Sequence, residues 1–480
     1  MRAVFERTAS EIAQVVGGRL LAGSPRARAV GVSTDSRTIQ PGRLFIPLKG
    51  ERLDGHRFIE EAVEEGAAGA LVEEEGPGRP ELVRALLARR ELWSQAFLVG
   101  VPGSSWEAFH RLAADHRSRF PIPVVAVTGS NGKTTTKELV AQLLGARWRT
   151  LRSPGNFNNE VGLPLTLLDL GPEFEVLVVE MGMRGRGEIA RLCQLARPTA
   201  GIVTNVGVSH LELLGSQEAI AAAKAELVEA LPSDGLAVLN GDDPWVRAMA
   251  GQTRARVVTY GLEQGEVTAR DLELGADGAR FQLVWEGRQA PVQLPLLGRH
   301  NVLNALAAAA CALGLGMELA AVADALGRVQ APKLRLERVA VRDFTVLNDA
   351  YNASPASMAA ALEVLAQVAP GRKGAVLGDM LELGPVTEAE HLAVGRRAAQ
   401  VGLAYLVIVG EQAERIAQGA REGGLPPEAI HVTPGWERAA QVLERLAQEG
   451  DTVLVKASRG LGLERVVQWL QEEGAGHHES

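Results

Sequence analysis

Apolar runs alternate with helical patterns from Val124 to Leu231: VVAVT then KELVAQLLGA, EVLVVEMG then GEIARLCQLA, AGIVTNVG then EAIAAAKAELVEAL. Continuous apolar strands between amphipathic helices predict a parallel sheet covered on both faces. A second alternation follows QAPKLRLE: TVLNDAY, SMAAALEVLAQV, GAVLGDM, YLVIVG and TVLVKAS. Between the two lie the turn-rich QLPLLGRH and the helical NALAAAACALG and LAAVADALGRV. The first hundred residues mix short strand-like runs (RLFIPLKG, GALVEE) with helical ones (SEIAQVVGG, RFIEEAVEEGA). Punctuation follows at EEEGPGRPE and VPGSSW, before the helix-like WEAFHRLAADHRSRF. The pattern predicts an α/β chain in three domains, 1–102, 103–331 and 332–480, without a solenoid-type repeat.

Composition narrows the class. At 480 residues the chain exceeds one core, and 46% hydrophobic with 22% charged residues is ordinary globular usage. No apolar run reaches the length of a membrane span, and MRAVFERTASEI lacks a signal-type apolar stretch. A cytoplasmic protein without membrane insertion is expected. The net charge of −8, without a basic stripe, and the 4% aromatic content argue against nucleic-acid binding. Cys193 and Cys311 sit in helix-like apolar patterns and are expected to be buried thiols.

The sharpest chemistry lies in VVAVTGSNGKTTT, a strand, a glycine-bounded turn and a helix start. Gly129 and Gly132 let the backbone curl so that amides point at a phosphate, where the new helix also presents its positive end. Lys133 supplies a mobile charge and Thr134 a hydroxyl suited to Mg²⁺. The loop is two residues shorter than the GxxxxGK[ST] form. Glu180 ends a sheet strand, where a magnesium ligand sits in such folds. A solvated strand-end acid is the bland alternative. His210 follows a third strand, and Lys224 taken alone reads as a helix-surface lysine.

Beyond these signals the chain resembles the Mur ligase family. The resemblance is carried by VSTDSRTIQPGRLFIPLKGERLDGHRFI, TGSNGKTTTKE, NFNNEVGLPLTLL, EMGMRGRGEIARL, TNVGVSHLELLGSQEAIAAAKAEL, GRHNVLNALAAA, LNDAYNASPASM, LGDMLELG and LVKASRGLGLERVV. It implies an N-terminal UDP-binding α/β domain, a central P-loop-type ATPase domain and a C-terminal Rossmann-like domain. It also implies an ATP-dependent ligase that adds D-Ala-D-Ala to a UDP-N-acetylmuramoyl-tripeptide in peptidoglycan precursor synthesis, acting as a monomer. The implied ATP residues are Gly129, Ser130, Asn131, Gly132, Lys133, Thr134, Thr135 and Asn301, with Arg335 at the γ-phosphate and Asp349 at the ribose. Two Mg²⁺ ions are implied, held by Thr134, Glu180, His210 and a carbamylated Lys224. Substrate residues implied are Ser33, Asp35, Ser36, Arg37, Asn156, Asn158, Asn159, Tyr351 and Asn352, with Ser354 and Pro355 in the same hinge loop. Read without the family, TDSR is a polar turn, NFNNE an Asn-rich loop, and HN before an Ala-rich helix a cap. Lys456, Ser458 and Arg459 line the amine pocket or serve the structure.

Departures are few: Asn348 replaces an acid, Ala457 a glycine, and QAPKLRLE lacks the glycine often found before the arginine. The segment 76–97 is longer than the family pattern and predicts an extra helix. The nearest rival, the sibling that adds the third amino acid, carries a DNPR signature that is missing here. A folylpolyglutamate synthase lacks the UDP-recognition stretch. A scaffold without catalysis would be expected to have lost Lys133, Glu180, His210 or Lys224, and all four are present.

Overall fold

A computed structural model describes residues 5–208 and 211–476, with side chains described as far as residue 472. The expected metal ligand His210 therefore lies outside the described residues. The chain forms two compact units. One holds the residues up to Ala126 with Arg147–Gly182 and Glu188–Thr199; the other holds Val127–Ala146, Met183–Gly187 and everything from Ala200.

In the first unit a five-stranded sheet runs Arg19–Ala22, Phe97–Val101, Gly69–Glu73, Leu44–Phe45, Val32–Ser33. Its first pair is antiparallel and the others are parallel. Phe45, Ile59, Val72, Trp93 and Leu98 fill one core. The extra helix expected in 76–97 is present as Arg79–Ala88. Left-handed Gly78 precedes it and Pro80 opens it, so EEEGPGRPE starts a helix. The helix Ser105–Ser118 is tied back to this unit by a buried relay. Asp54 Oδ1 lies 2.8 Å from His56 Nδ1, and His56 Nε2 lies 3.2 Å from Ser105 Oγ. Ser105 is wholly buried, so this row of Asp, His and Ser fixes a helix end and exposes no nucleophile. The unit also carries a parallel pair, Thr150–Arg152 with Val176–Glu180, beside the first half of the Val124–Thr128 strand.

In the second unit the order is Arg256–Tyr260, Leu236–Asn240, Ala200–Val203, then the end of the Val124–Thr128 strand. The first three run parallel. The sequence pattern missed an antiparallel meander, Thr268–Gly275, Gly278–Trp285 and Arg288–Leu294. Its strands mix exposed and buried positions and turn at Ala276-Asp277 and Glu286-Gly287, a period-2 signal weaker than a buried run. The last sheet runs Glu337–Val341, Phe344–Asn348, Thr452–Lys456, Lys373–Gly378, Tyr405–Val409, Ile430–Thr433. All its pairings are parallel except the first. Alternation divides it between two cores: Leu347, Leu377, Leu406 and Leu454 on one face, Val346, Val376, Val407 and Val453 on the other. Asp349, Asp379 and Lys456 thus gather at the carboxyl ends of parallel strands, where ligands bind in such sheets. Both cysteines are buried thiols, as expected, and burial pushes Cys311 up to about 12. Among the described residues no helix is long and apolar enough to cross a membrane.

Candidate active site

The glycine-bounded turn is built as its sequence demands, with one difference in its donors. Gly129 has φ 146° and Gly132 φ 81°. A Cβ on Gly129 would run into Thr204 Oγ1, and one on Gly132 would lie 2.5 Å from Asn304 Oδ1. Several amides of this turn are expected from the sequence to point at a phosphate, but those of Ser130 and Asn131 do not remain free for it. Instead they donate to Asn205, to its backbone O and side-chain Oδ1, both at 2.9 Å. Asn131 O accepts from Thr204 Oγ1 at 2.6 Å and from Asn205 Nδ2 at 3.1 Å, and Gly207 N–H donates to Ser130 Oγ at 2.8 Å. TNVG, from the next strand, therefore moulds the turn. The helix Lys133–Gly145 that follows is capped by Gly132, which supplies no side-chain hydrogen bond, and such a helix start is where backbone N–H groups can meet an anion. Lys133 Nζ folds over the turn, 2.8 Å from Gly129 O and 3.1 Å from Ser130 O. Gly129→Ala is expected to destabilise the protein by about 1–3 kcal/mol by overpacking against Thr204, read as a lower urea midpoint. A midpoint equal to the parent's would mean that the turn yields freely.

Lys224 corrects its local reading. It lies mid-helix in Gln217–Glu229 and is 2% exposed, so it is no surface lysine. Burial, then the nearby Lys133 charge, holds its amine well below the ordinary lysine range. Glu180, in the first unit, is likewise no solvated strand end, being 2% exposed. Its Oε1 accepts from Asn158 Nδ2 at 2.7 Å, while buried Oε2 has no hydrogen-bond partner among the described residues. An orphaned, buried carboxylate oxygen is what an oxygen-ligated cation would satisfy. Among the described residues no three acids, histidines or cysteines cluster as a metal site.

The remaining polar motifs of the first unit serve local turns in this structure. Asn159 Oδ1 accepts from the amides of Val161 and Gly162, and Asn156 is exposed. Arg37 grips Asp35 in a two-pronged pair at 2.9 and 2.7 Å, the hydrogen bond that chiefly lowers the Asp35 pKa. Ser33 Oγ brackets Asp35 from the backbone side, and Ser36 is buried.

The chain beyond residue 331 reaches the glycine-bounded turn and the helix start after it at two points. Arg335 Nη2 donates to Thr134 Oγ1 at 3.0 Å, and Ser354 Oγ donates to Asn131 Oδ1 at 2.9 Å. Arg335 also lies over the Tyr351 ring, 4.3 Å from its centroid, with Arg459 at 5.9 Å. Asp349 is engaged by protein groups: Lys456 Nζ at 2.6 Å and Leu336 N–H at 3.2 Å. Lys456 also donates to Asn352 O at 2.9 Å and is buried. Burial pushes the neighbouring His300 down to about 4, with Asp349 opposing the shift and Lys456 adding to it. Ser458 Oγ accepts from Leu381 N–H. Asn301 donates to Leu297 O and accepts from Asn304 Nδ2 at 3.1 Å. Thr136 Oγ1 donates to Asn304 Oδ1 at 3.3 Å. Asn205 and Asn304 were not singled out in the sequence. The signals were a strand-end TN and an Asn pair at i,i+3, which places both on one helix face.

Within the second unit the helix start thus carries Lys133 folded over the turn and Arg335 donating to Thr134, with Lys224 buried nearby. The chain is similar to known proteins along nearly its whole length. The Mur ligase middle-domain model matches residues 127–312, the Mur ligase glutamate ligase domain model 334–459, and the Mur ligase family catalytic-domain model 28–94. The UDP-N-acetylmuramoyl-tripeptide–D-alanyl-D-alanine ligase of Bacillus subtilis strain 168 is 37% identical, over 98% of this chain and 99% of that protein. A crystal structure of MurF from Acinetobacter baumannii aligns with TM-score 0.87 and 31% identity, covering 98% of this chain and all of that one. MurF ligase from Thermotoga maritima, solved in complex with ADP, aligns with TM-score 0.79 and 29% identity over 93% and 98%. With likeness spanning nearly every residue from the first sheet to the last, this chain belongs to the Mur ligase family.

Proposed function

We propose that this chain is a cytoplasmic, monomeric ATP-dependent ligase that joins D-Ala-D-Ala to UDP-N-acetylmuramoyl-tripeptide. Residues 1–102 take the UDP end, 103–331 the ATP, and 332–480 the dipeptide. The observation that carries this reading is Arg335 meeting Thr134 at the helix start, with Lys133 beside it. Two fixed cations and a helix end then surround the place where a terminal phosphate carries its charge. The full-length likeness to D-alanyl-D-alanine ligases, together with the missing DNPR signature, supports the dipeptide over a free diamino acid.

The terminal carboxylate of the tripeptide attacks the γ-phosphorus. The bond from that phosphorus to the bridging oxygen breaks, ADP leaves, and an acyl phosphate remains. The dipeptide amine then attacks the acyl carbon, loses a proton, and expels phosphate from the tetrahedral intermediate. Lys133 and Arg335 offset charge on the moving phosphoryl group. Gly129 to Thr135 and Asn301 surround the nucleotide, with Asp349 toward the ribose. Ser33, Asp35, Ser36, Arg37, Asn156, Asn158 and Asn159 face the UDP-sugar peptide, and Tyr351 and Asn352 the dipeptide. Thr134, Glu180 and a carbamylated Lys224 offer the hard oxygen donors magnesium takes, and His210 completes the set. Magnesium held there would supply positive charge to offset that of the phosphates.

The test is ADP release with UDP-muramoyl tripeptides ending in lysine, ornithine or diaminopimelate, each with and without D-Ala-D-Ala. Release that needs both substrates is expected. Release that needs a free amino acid in place of the dipeptide would move the chain to the sibling activity.

A further inference from the structure

Arg335 stands between two strained residues. Leu334 has φ 61° and Leu336 φ 51°, the left-handed region that an L side chain enters at a cost. Each is held there by a carboxylate. Leu334 N–H donates to Glu337 Oε2 at 2.9 Å, and Leu336 N–H to Asp349 Oδ1 at 3.2 Å. Tyr351 N–H closes the turn on Leu334 O at 3.3 Å. The backbone reverses twice in three residues, so Leu336 enters the core while adjacent Arg335 reaches Thr134.

The two carboxylates have different supports. Asp349 is pinned by the buried Lys456, which also holds Asn352 O. Glu337 opens the edge strand Glu337–Val341, paired opposite Asn348, and sits on the next residue but one from the arginine it serves. Strand pairing thus brings both acceptors to the same short segment.

We propose that Leu334-Arg335-Leu336 is a strained mount and that Glu337 is the positioning residue that keeps it set. This rests on the reading of Arg335 as a γ-phosphate residue. Glu337 touches no reacting atom; it acts by holding the Leu334 amide, and so the direction of the Arg335 side chain. Lys456 plays the matching part through Asp349.

A double-mutant cycle on the full-length enzyme tests this, read as kcat and ATP KM for ADP release with both co-substrates saturating. Glu337→Ala is expected to lower kcat at least about tenfold, as misplacement of a charge-stabilising group does, with ATP KM within about threefold. Leu334→Gly stays within about twofold of the parent, because glycine takes positive φ without help. The double variant recovers to within about threefold of the parent for the same reason, a rescue that a general loss of stability would not give. Parent kcat in Glu337→Ala, or a double variant as slow as Glu337→Ala, overturns the proposal. Should Glu337→Ala fail to fold, Leu334→Val adds strain with Glu337 intact. A several-fold lower kcat is expected there, and parent kcat overturns the mount. Arg335→Ala separates the two readings: parent turnover in that variant removes Arg335 from the reaction. A slow Arg335→Ala beside a fast Glu337→Ala overturns the mount alone.

Discussion

Lys133→Ala is expected to reduce substrate-dependent ADP release by at least about 10²–10³-fold, the usual consequence of removing one preorganised charge-stabilising donor. The reason lies in what the ammonium faces. It rests on the carbonyls of Gly129 and Ser130, inside the turn, where it is poised over the helix start. The amides of Ser130 and Asn131 are already committed to Asn205, so the turn cannot make good the loss with spare backbone donors. The fold should survive, because Thr204, Asn205 and Gly207 still hold the turn when the lysine's two hydrogen bonds are lost. A melting temperature near the parent's with turnover lost would locate the effect in the chemistry. Lys133→Arg should rescue poorly, since a planar guanidinium cannot occupy the seat of a compact ammonium. Near-normal ADP release by Lys133→Ala would remove the turn from the phosphate site.

The parts of the fold most legible in the sequence were those buried on both sides. VVAVT, VLVVE and TVLVK each have an apolar centre and each is a fully buried strand. The meander at 268–294 escaped because one face of each strand is exposed, which dilutes the apolar signal. The phosphate turn was legible in residue types and less so in its hydrogen bonding. Amides at 130 and 131 are spent on a residue some 75 positions along, and long-range ties of that kind leave no local pattern. Lys224 was read as exposed from its own helix, whose Ala-rich sequence cannot say which face is covered. The glycine missing before Arg335 was visible as a departure. Only the backbone explains its weight: Leu334 takes the left-handed conformation that a glycine would take freely, and Glu337 braces it.

Lys224→Ala is expected to lose at least about 10²-fold in turnover, on the scale of a lost ligand or charge-orienting group, and to regain part of it with millimolar acetate or formate. Three observations favour a carbamate over a plain lysine. The side chain is almost wholly buried, where an ammonium is costly. Burial and the Lys133 charge shift the amine toward its neutral form, and only the neutral amine attacks carbon dioxide. In that step the nitrogen lone pair forms the N–C bond, one C=O pair moves to oxygen, and the proton leaves to water. The product turns a like-charge repulsion with Lys133 into an attraction, so modification relieves the strain that lowers the amine's pKa. The sign of the pH effect follows: acid protonates the amine, pulls carbon dioxide off, and reduces activity, and added bicarbonate moves the loss to lower pH. Native mass spectra near neutral pH should show an increase of about 44 Da that disappears in Lys224→Ala. A carboxylate supplied from solution can replace the carbamate oxygens but cannot replace an ammonium. Full activity in the alanine variant, or a deficit that acetate leaves untouched while added amines repair it, would show that the lysine works as a cation.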